Sequence, residues 1–81
     1  MAYNNRGVVY RKLNKREPAF ADFNDAIRTN ERNKFAWANR AIMFSEARQT
    51  KRAIDDLKRA LEIDPSYQFA LDALRKIGRT R

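Results

Sequence analysis

The sequence predicts an all-α protein made of helix–turn–helix repeats, with five helices in total. The chain matches itself at an offset of 34 residues, and the identical pairs include Ala2 with Ala36 and Asn5 with Asn39. Apolar residues recur three or four positions apart, which is the spacing of one helical face. Short polar links such as residues 48–50 separate these apolar stripes. We therefore expect one repeat at 1–33, a second at 34–67, and a last helix with a basic tail at 68–81.

The local signals place the five helices at about residues 2–13, 18–30, 34–47, 51–63 and 67–78. Asn14 tolerates the left-handed conformation that ends a helix, and Pro18 suits a first helical turn. Thr50 is expected to cap the fourth helix, and Gly78 to close the fifth. Because the links are short, consecutive helices should be antiparallel.

Small residues occupy equivalent positions in the two repeats, which allows the helices to approach closely while large residues fill the adjacent spaces. The small residues are Gly7, Ala19 and Ala26 in the first repeat and Ala41, Ala53 and Ala60 in the second. We expect the Trp37 ring to be buried between the two helices of its own repeat and the preceding repeat.

The matching positions of both repeats resemble the tetratricopeptide repeat, and this resemblance covers about residues 1–67. The residues that carry it are Tyr3, Gly7, Tyr10, Ala19, Phe23 and Ala26, then Trp37, Ala41, Phe44, Ala53, Leu57, Ala60 and Pro65. Residues 68–78 look like the capping helix of that family. Two positions depart from the family pattern, with Glu31 in place of a common proline and Arg48 in place of the usual turn glycine.

The resemblance implies a right-handed α-solenoid whose first helices line a concave groove for a peptide or helix of a partner protein. Carried onto this sequence, the peptide-binding residues would be Asn4, Asn5, Val8, Arg11, Lys12, Phe35, Asn39, Ile42, Phe69 and Lys76. The resemblance also places Ala38, Ser45, Glu46, Asp72 and Ala73 on the groove-facing side of their helices. These residues predict an apolar strip with amides beside it and basic groups at one end. The expected function is a non-catalytic scaffold or adaptor, and its partner could be acidic.

Some members of this family hold the C-terminal carboxylates of a chaperone with lysine and arginine side chains and two asparagines. Asn39 matches one of those asparagines. The other clamp positions would fall on Asn4, Val8, Phe69 and Ala73, which do not supply the required set of amides and charges. The sequence therefore argues against a carboxylate clamp.

The composition argues against catalysis, because the chain contains neither cysteine nor histidine and has only two glycines. These absences remove the common nucleophile, base and neutral metal ligand, together with any glycine-rich phosphate loop. Asp22, Asp25, Asp55 and Asp56 are interpreted as a solvated helix face with pairs such as Asp55–Arg59. We expect no enzyme activity, no cofactor and no metal.

The net charge of +8 favours acidic partners, and it leaves two other functions open. Basic residues such as Arg48, Lys51 and Arg52 could contact the phosphates of nucleic acid, although few exposed aromatic residues accompany them. Along the chain the charge is evenly spread, which argues against that function. Alternatively, the chain is a purely structural segment of a longer repeat protein.

Several further expectations concern context. Helical periodicity begins at residues 1–3 without a capping residue, as in a piece of a longer protein. No segment is long and apolar enough to insert into a membrane, and no signal peptide is recognised. We expect a cytoplasmic protein that is monomeric or a weak homodimer.

Overall fold

Five α-helices make up the computed structural model, which describes the backbone of residues 2–79 and the side chains of residues 6–78. The helices are α1 (Ala2–Lys12), α2 (Arg16–Thr29), α3 (Lys34–Glu46), α4 (Thr50–Ile63) and α5 (Gln68–Arg79). No strand occurs in this part of the chain. The predicted bounds are correct to within two residues, and the all-α repeat architecture is confirmed. Gly78 does not close α5, because the helix continues through it and its φ angle is not positive.

Consecutive helices run antiparallel, as the contacts across the second repeat show. Arg40 meets Asp56 halfway along α3 and α4, whereas Lys34, at the start of α3, meets Asp64 just after the end of α4. Helices α1 and α2 pair in the same way, and α5 packs against α4. The first helices of the repeats, α1 and α3, also touch each other, and α3 touches α5. These three helices therefore share one face of the solenoid.

The two turns within the repeats have the same construction. Asn14 has a φ angle of 62° and Arg48 one of 63°, so both residues are left-handed. In each turn the next amide donates back to the third-last helical carbonyl: Lys15 to Tyr10 at 2.9 Å, and Gln49 to Phe44 at 2.8 Å. This is a Schellman motif, which glycine usually completes at the left-handed position. Arg48 takes that position despite its Cβ, at a cost of roughly 1–2 kcal/mol.

Among helices α2, α3 and α4, only α3 carries a side-chain cap at its N-terminus. Asn33 caps α3, and its side-chain oxygen accepts a hydrogen bond from the Ala36 amide at 3.2 Å. Thr50 is the first residue of α4 rather than its cap, and Gln49 takes the cap position without a side-chain hydrogen bond. The prediction for Thr50 was therefore wrong by one residue. The cap position of α2, Lys15, also makes no side-chain hydrogen bond.

The core follows the predicted alternation of small and large residues. Phe23 and Leu57, at equivalent positions of the two repeats, are fully buried. Gly7 provides space for the Phe23 ring, because a Cβ at Gly7 would lie 2.7 Å from its Cε1. The largest buried cluster joins α3, α4 and α5, and smaller clusters join α2 to α3 and α1.

Trp37 occupies the predicted place between its own repeat and α2, but it is only half-buried. Its indole Nε1 donates to the Glu31 carbonyl at 2.8 Å, which holds one edge of the ring at the surface. The guanidinium groups of Arg40 and Arg59 lie 5.0 and 5.6 Å from the ring centre. The ring is therefore less buried than predicted.

The interpretation of four aspartates as a solvated face was wrong for two of them, because Asp22 and Asp56 are buried. Asp22 accepts two hydrogen bonds from Arg6 at 2.7 and 2.8 Å, and Asp56 accepts two from Arg40 at 2.7 and 2.9 Å. Each pair joins the two helices of one repeat. Asp25 and Asp55 remain on the surface side, and Arg59 pairs with Glu62 at 2.9 Å rather than with Asp55.

Candidate functional site

A cavity of about 440 Å³ lies between α3 and α5 on the face that α1, α3 and α5 share. This volume falls in the usual range of ligand pockets. Its apolar lining comes from Ile42 of α3 and from Phe69, Ala73 and Ile77 of α5, and its polar lining from Ser45, Asp72, Arg75 and Lys76. Lys76 is exposed, while Ala73 and Ile77 are buried. The cavity can therefore take an apolar group with a charged group beside it.

Three aromatic rings continue the apolar surface beyond the cavity, toward the start of α3 and α5. The Tyr67 ring lies between the other two, 5.7 Å from Phe35 in an edge-to-face arrangement and 5.9 Å from Phe69 in a stacked one. Phe35 is 45% exposed and Phe69 44%, so both present apolar surface to solvent. We call Phe35, Tyr67 and Phe69 the aromatic cluster.

Lys34 makes electrostatic contacts with two rings of the aromatic cluster. Lys34 pairs with Asp64, and its Nζ lies 4.7 Å from the Tyr67 ring centre and 5.3 Å from that of Phe35. The hydrogen bond from Lys34 and those from Ser66 lower the pKa of the Asp64 carboxyl below its usual range. Burial, together with the nearby Asp64 carboxylate, raises the pKa of the Tyr67 hydroxyl above its usual range.

The α1 side of the shared face is more neutral than predicted, because Arg11 is engaged within the molecule. Its Nη1 donates to the Glu46 carboxylate of α3 at 3.1 Å, and its Nε is shielded from solvent without a hydrogen-bond partner. Lys12 is exposed and forms no ion pair with another described side chain. Val8 is half-buried and packs on the cluster around Phe23.

The structure brings some of the predicted groove residues together and leaves others apart. Ile42, Phe69 and Lys76 line the same cavity, and Phe35 connects to it through Tyr67. Asn39 is half-buried on α3. Ala38 does not face the groove, because it is fully buried in the core cluster of α3, α4 and α5. The side chains of Asn4 and Asn5 lie outside the described ones. Peptide binding by these residues stays a prediction.

The residues at two of the carboxylate-clamp positions lie against the cavity as apolar groups. Phe69 and Ala73 both line it, and neither can donate a hydrogen bond from its side chain to a carboxylate. Lys76 and Arg75 lie at the same cavity, but Arg75 pairs with Asp72 at 3.6 Å.

Sequence reasoning missed Tyr67, Lys34 and the paired Arg6 and Arg40. The offset of 34 residues carried the signal for the arginines, since Arg6 matches Arg40 just as Asp22 matches Asp56. An arginine and an aspartate thus recur at the same spacing in both repeats, which indicates an ion pair within each repeat. Tyr67 had no such signal, because its position in the first repeat is Asn33.

Two other kinds of site are missing from the described residues. Nowhere in residues 2–79 do three His, Cys, Asp or Glu side chains come close enough to hold a metal ion. None of the described helices combines the length and the apolar composition that a membrane span requires.

Proteins similar to this chain include one of solved structure and two curated relatives. The first tetratricopeptide-repeat domain of Spaghetti (RPAP3), solved with the HSP90 peptide SRMEEVD, superposes with a TM-score of 0.88 at 29% identity, over 96% of this chain and 62% of that one. Tetratricopeptide repeat protein 6 of Homo sapiens is 31% identical over 83% of this chain, and sperm-associated antigen 1 of Mus musculus is 29% identical over 98%. The chain spans only 13% and 9% of these two relatives.

The family models described as tetratricopeptide repeat match residues 2–33 and residues 35–67. The first span corresponds to the helix pair α1–α2 and the second to the helix pair α3–α4. The fold of this family is typically a non-catalytic surface for protein interactions. From the two matched repeats and the shared architecture, the chain belongs to the tetratricopeptide repeat family.

Proposed function

We propose that the face shared by α1, α3 and α5 binds an amphipathic, acidic segment of a partner protein. The observation that carries this proposal is the apolar cavity between α3 and α5, which continues into the exposed aromatic cluster and has Lys76 beside it. Apolar residues of the segment would pack on Phe35, Ile42 and Phe69. Its acidic residues would lie toward Lys12 and Lys76, at the end of the face where α1 and α5 finish.

The solved relative supports this proposal, because it carries a bound peptide, SRMEEVD, on a closely similar fold. That peptide is rich in carboxylates. In the present chain, however, Phe69 and Ala73 bring apolar groups to two positions where a carboxylate clamp needs charged groups. We therefore propose that apolar anchoring contributes more here, with acidic residues as flanks. No catalytic step forms part of this function.

The test is a selection of random 12-residue peptides displayed on phage against the intact chain. Enriched peptides should combine apolar residues with Asp or Glu. Their affinity, measured by fluorescence anisotropy, should fall at least about tenfold in Phe35→Ala/Phe69→Ala, because centrally placed aromatic anchors dominate binding energy. Their affinity should depend only weakly on salt, since exposed charges act mainly on the association rate.

A matched control is available at the C-terminal end of α1 and just beyond it. Val9 and Leu13 are also large apolar side chains, 54% and 61% exposed, and neither lines the cavity between α3 and α5. The variant Val9→Ala/Leu13→Ala should retain peptide binding. If this control loses as much affinity as the aromatic double variant, or if no peptide is enriched, the groove is not the binding site. A separate titration with SRMEEVD should show weaker binding than the selected peptides.

A further inference from the structure

The positive charge of this chain is evenly distributed along the sequence but not in space. Three ends of helices meet at one edge of the molecule: the turn between α1 and α2, the turn between α3 and α4, and the end of α5. The first turn contributes Lys12, Lys15 and Arg16, and the second contributes Arg48, Lys51 and Arg52. Helix α5 adds Lys76. We call these seven residues the basic edge.

Three contacts establish that these ends lie side by side. Arg11 and Glu46, each at the end of its helix, form the ion pair between α1 and α3 at 3.1 Å. Arg16 and Glu17 of α2 line one surface pocket together with Ala47 and Gln49 of the second turn. Ser45 of α3 lines the cavity that Arg75 and Lys76 of α5 also line. The antiparallel topology thus collects charges that are up to 64 positions apart, from residue 12 to residue 76.

The net positive charge of the described side chains resides at this edge. Together with Arg11, the edge has eight basic residues against two acidic ones, Glu17 and Glu46, which leaves a net charge of +6. The other described side chains comprise eight basic and eight acidic residues and are neutral in total. All seven residues of the basic edge are exposed, and none forms an ion pair with another described side chain.

The backbone adds to the positive potential at the second turn. Helix α4 begins there without a side-chain cap and without an acidic residue in its first turn, although Lys51 and Arg52 occupy that turn. Cations at a helix N-terminus are unfavourable, because its amide groups already carry partial positive charge. Arg48 also keeps a left-handed conformation that glycine would adopt without strain. An anionic partner at this turn would reduce the electrostatic cost.

We propose that the basic edge binds the phosphate backbone of duplex nucleic acid, without sequence specificity. A duplex presents about one negative charge per 1.7 Å, and release of its counterions supplies affinity without apolar burial. Aromatic rings that could stack on unpaired bases are missing from this edge among the described residues, since the exposed rings, Phe35 and Phe69, lie at the opposite ends of their helices. That arrangement favours a duplex over a single strand.

Two other polyanions fit this edge less well. Anionic membranes hold a protein firmly when apolar residues insert beside the charges, and acidic protein segments are held by apolar anchors. The second turn and the end of α5 have no exposed large apolar side chain among those described; Val9 and Leu13 are near the first turn only. The basic edge shares Lys12 and Lys76 with the proposed peptide groove, but its other five residues lie outside that groove, so duplex binding and peptide binding can be tested separately.

The experiment measures fluorescence anisotropy of a labelled 20-base-pair duplex of two unrelated sequences, titrated with the intact chain at several salt concentrations. We expect equal affinity for both sequences, with a Kd between about 1 and 100 µM. A plot of the logarithm of the association constant against the logarithm of the salt concentration should have a slope of about −4 to −6, because each neutralised duplex phosphate contributes about −0.9.

Helix α4 provides a variant and its matched control, because it carries two adjacent Lys–Arg pairs. Lys51→Gln/Arg52→Gln removes two charges from the basic edge and should weaken binding about tenfold while making the salt slope shallower by about 2. Lys58→Gln/Arg59→Gln removes the same two charges two helical turns away, where Arg59 faces Trp37. This control should leave both quantities nearly unchanged. Arg48→Gly should raise the thermal unfolding midpoint and still weaken duplex binding.

Several outcomes would overturn the proposal. Equal losses from the two double variants would mean that overall charge, and not the basic edge, determines binding. Tighter binding of a 20-residue polyglutamate would assign the edge to an acidic protein, and tighter binding to vesicles with 30% phosphatidylserine would assign it to a membrane. The absence of duplex binding at 50 mM salt would also refute it. The Phe35→Ala/Phe69→Ala variant should bind the duplex normally, which separates this result from a failure of groove binding.

Discussion

Asp22 and Asp56 form equivalent ion pairs whose partners differ in exposure. Both carboxylates are buried, but the side chain of Arg6 is 58% exposed whereas that of Arg40 is 21% exposed. Loss of a carboxylate leaves an unpaired charge, and the cost of that charge depends on how well water can reach it. The Arg6–Asp22 pair should therefore be the less costly of the two to break.

The first prediction concerns the pH dependence of stability through Asp22. Hydrogen bonds from Arg6 hold the pKa of this carboxyl below its usual range, against the opposing effect of burial. A carboxyl with a lowered pKa in the folded state contributes stability above its unfolded pKa of about 3.9, and this contribution is lost as the pH falls through the folded value. Asp22→Asn should therefore destabilise the protein by about 1–3 kcal/mol at pH 7.

The measurement is urea unfolding followed by circular dichroism between pH 7 and pH 3. The difference between wild type and Asp22→Asn should shrink as the pH falls below about 4, because the unfolded wild-type chain then takes up a proton at Asp22 that the folded protein does not. Asp55→Asn is the control, since Asp55 is exposed on α4, and it should change stability by less than about 0.5 kcal/mol. A difference that stays constant with pH would exclude the ion pair as the origin.

At the scale of the helices, the two glycines differ in their surroundings: Gly7 is closely packed and Gly78 is open. Gly7 of α1 faces the Phe23 ring so closely that a Cβ would come within 2.7 Å of one ring carbon and 3.0 Å of two others. Gly78 of α5 has no neighbouring atom within 4 Å of the position a Cβ would take. The same substitution should therefore have opposite signs at the two positions.

The second prediction compares Gly7→Ala with Gly78→Ala. At Gly7, the gain in helix propensity is outweighed by overpacking against a fully buried ring, and we expect a net loss of about 1–3 kcal/mol. At Gly78, the open surroundings leave only the propensity term, so stability should rise by up to about 0.5–1 kcal/mol. Thermal unfolding of both variants checks this. A stabilised Gly7→Ala would mean that α1 can move away from α2 at little cost.

Helix positions were predictable because the apolar stripes repeat, whereas helix termini were less so. The sequence could not place the start of α4, since Thr50 has the chemistry of a cap but Gln49 occupies the cap position. The Schellman motif at Arg48 decides this, because the hydrogen bond from the Gln49 amide to the Phe44 carbonyl fixes where the new helix begins. An arginine in that conformation has no sequence signature, and only the equivalent Asn14 pointed to a left-handed residue there.

At the scale of the whole molecule, the repeat pattern was enough to predict the architecture but not the functional surfaces. Ile42, Phe69 and Lys76 line one cavity, because they lie on the neighbouring helices α3 and α5. The pairing of Arg11 with Glu46 was not predictable, since the two residues are 35 positions apart and belong to different repeats. The basic edge was hidden for the same reason: it arises from the antiparallel arrangement, which the distribution of charge along the chain does not reveal.

A third prediction concerns how stability is distributed between the repeats. The largest buried cluster joins α3, α4 and α5, and α1 packs mainly against α2. In a linear array of repeats, local stability follows the interfaces that each repeat shares with its neighbours. Hydrogen exchange followed by mass spectrometry should therefore show the slowest amides in α3 and α4 and the fastest, among the helices, in α1.

The variant Leu57→Ala checks the physical reason, since Leu57 is fully buried in the α3–α5 cluster. Its loss should cost about 2–5 kcal/mol and should accelerate exchange in all three of those helices. Identical exchange rates in all five helices of the wild-type protein would show instead that the chain opens only as one unit.

The placement of the ion pairs also bears on how such a chain lengthens by tandem duplication. Each Arg–Asp pair lies wholly inside one repeat, so a copied stretch of 34 codons brings both members with it. The junction between repeats is different, because Arg40 also donates to Asn24 of the preceding repeat at 2.9 Å. At the next junction the equivalent positions hold Leu74 and Lys58, so neither member of this contact is repeated. A duplicated repeat therefore inherits its internal Arg–Asp ion pair, whereas a specific contact at each new interface between repeats requires later mutations.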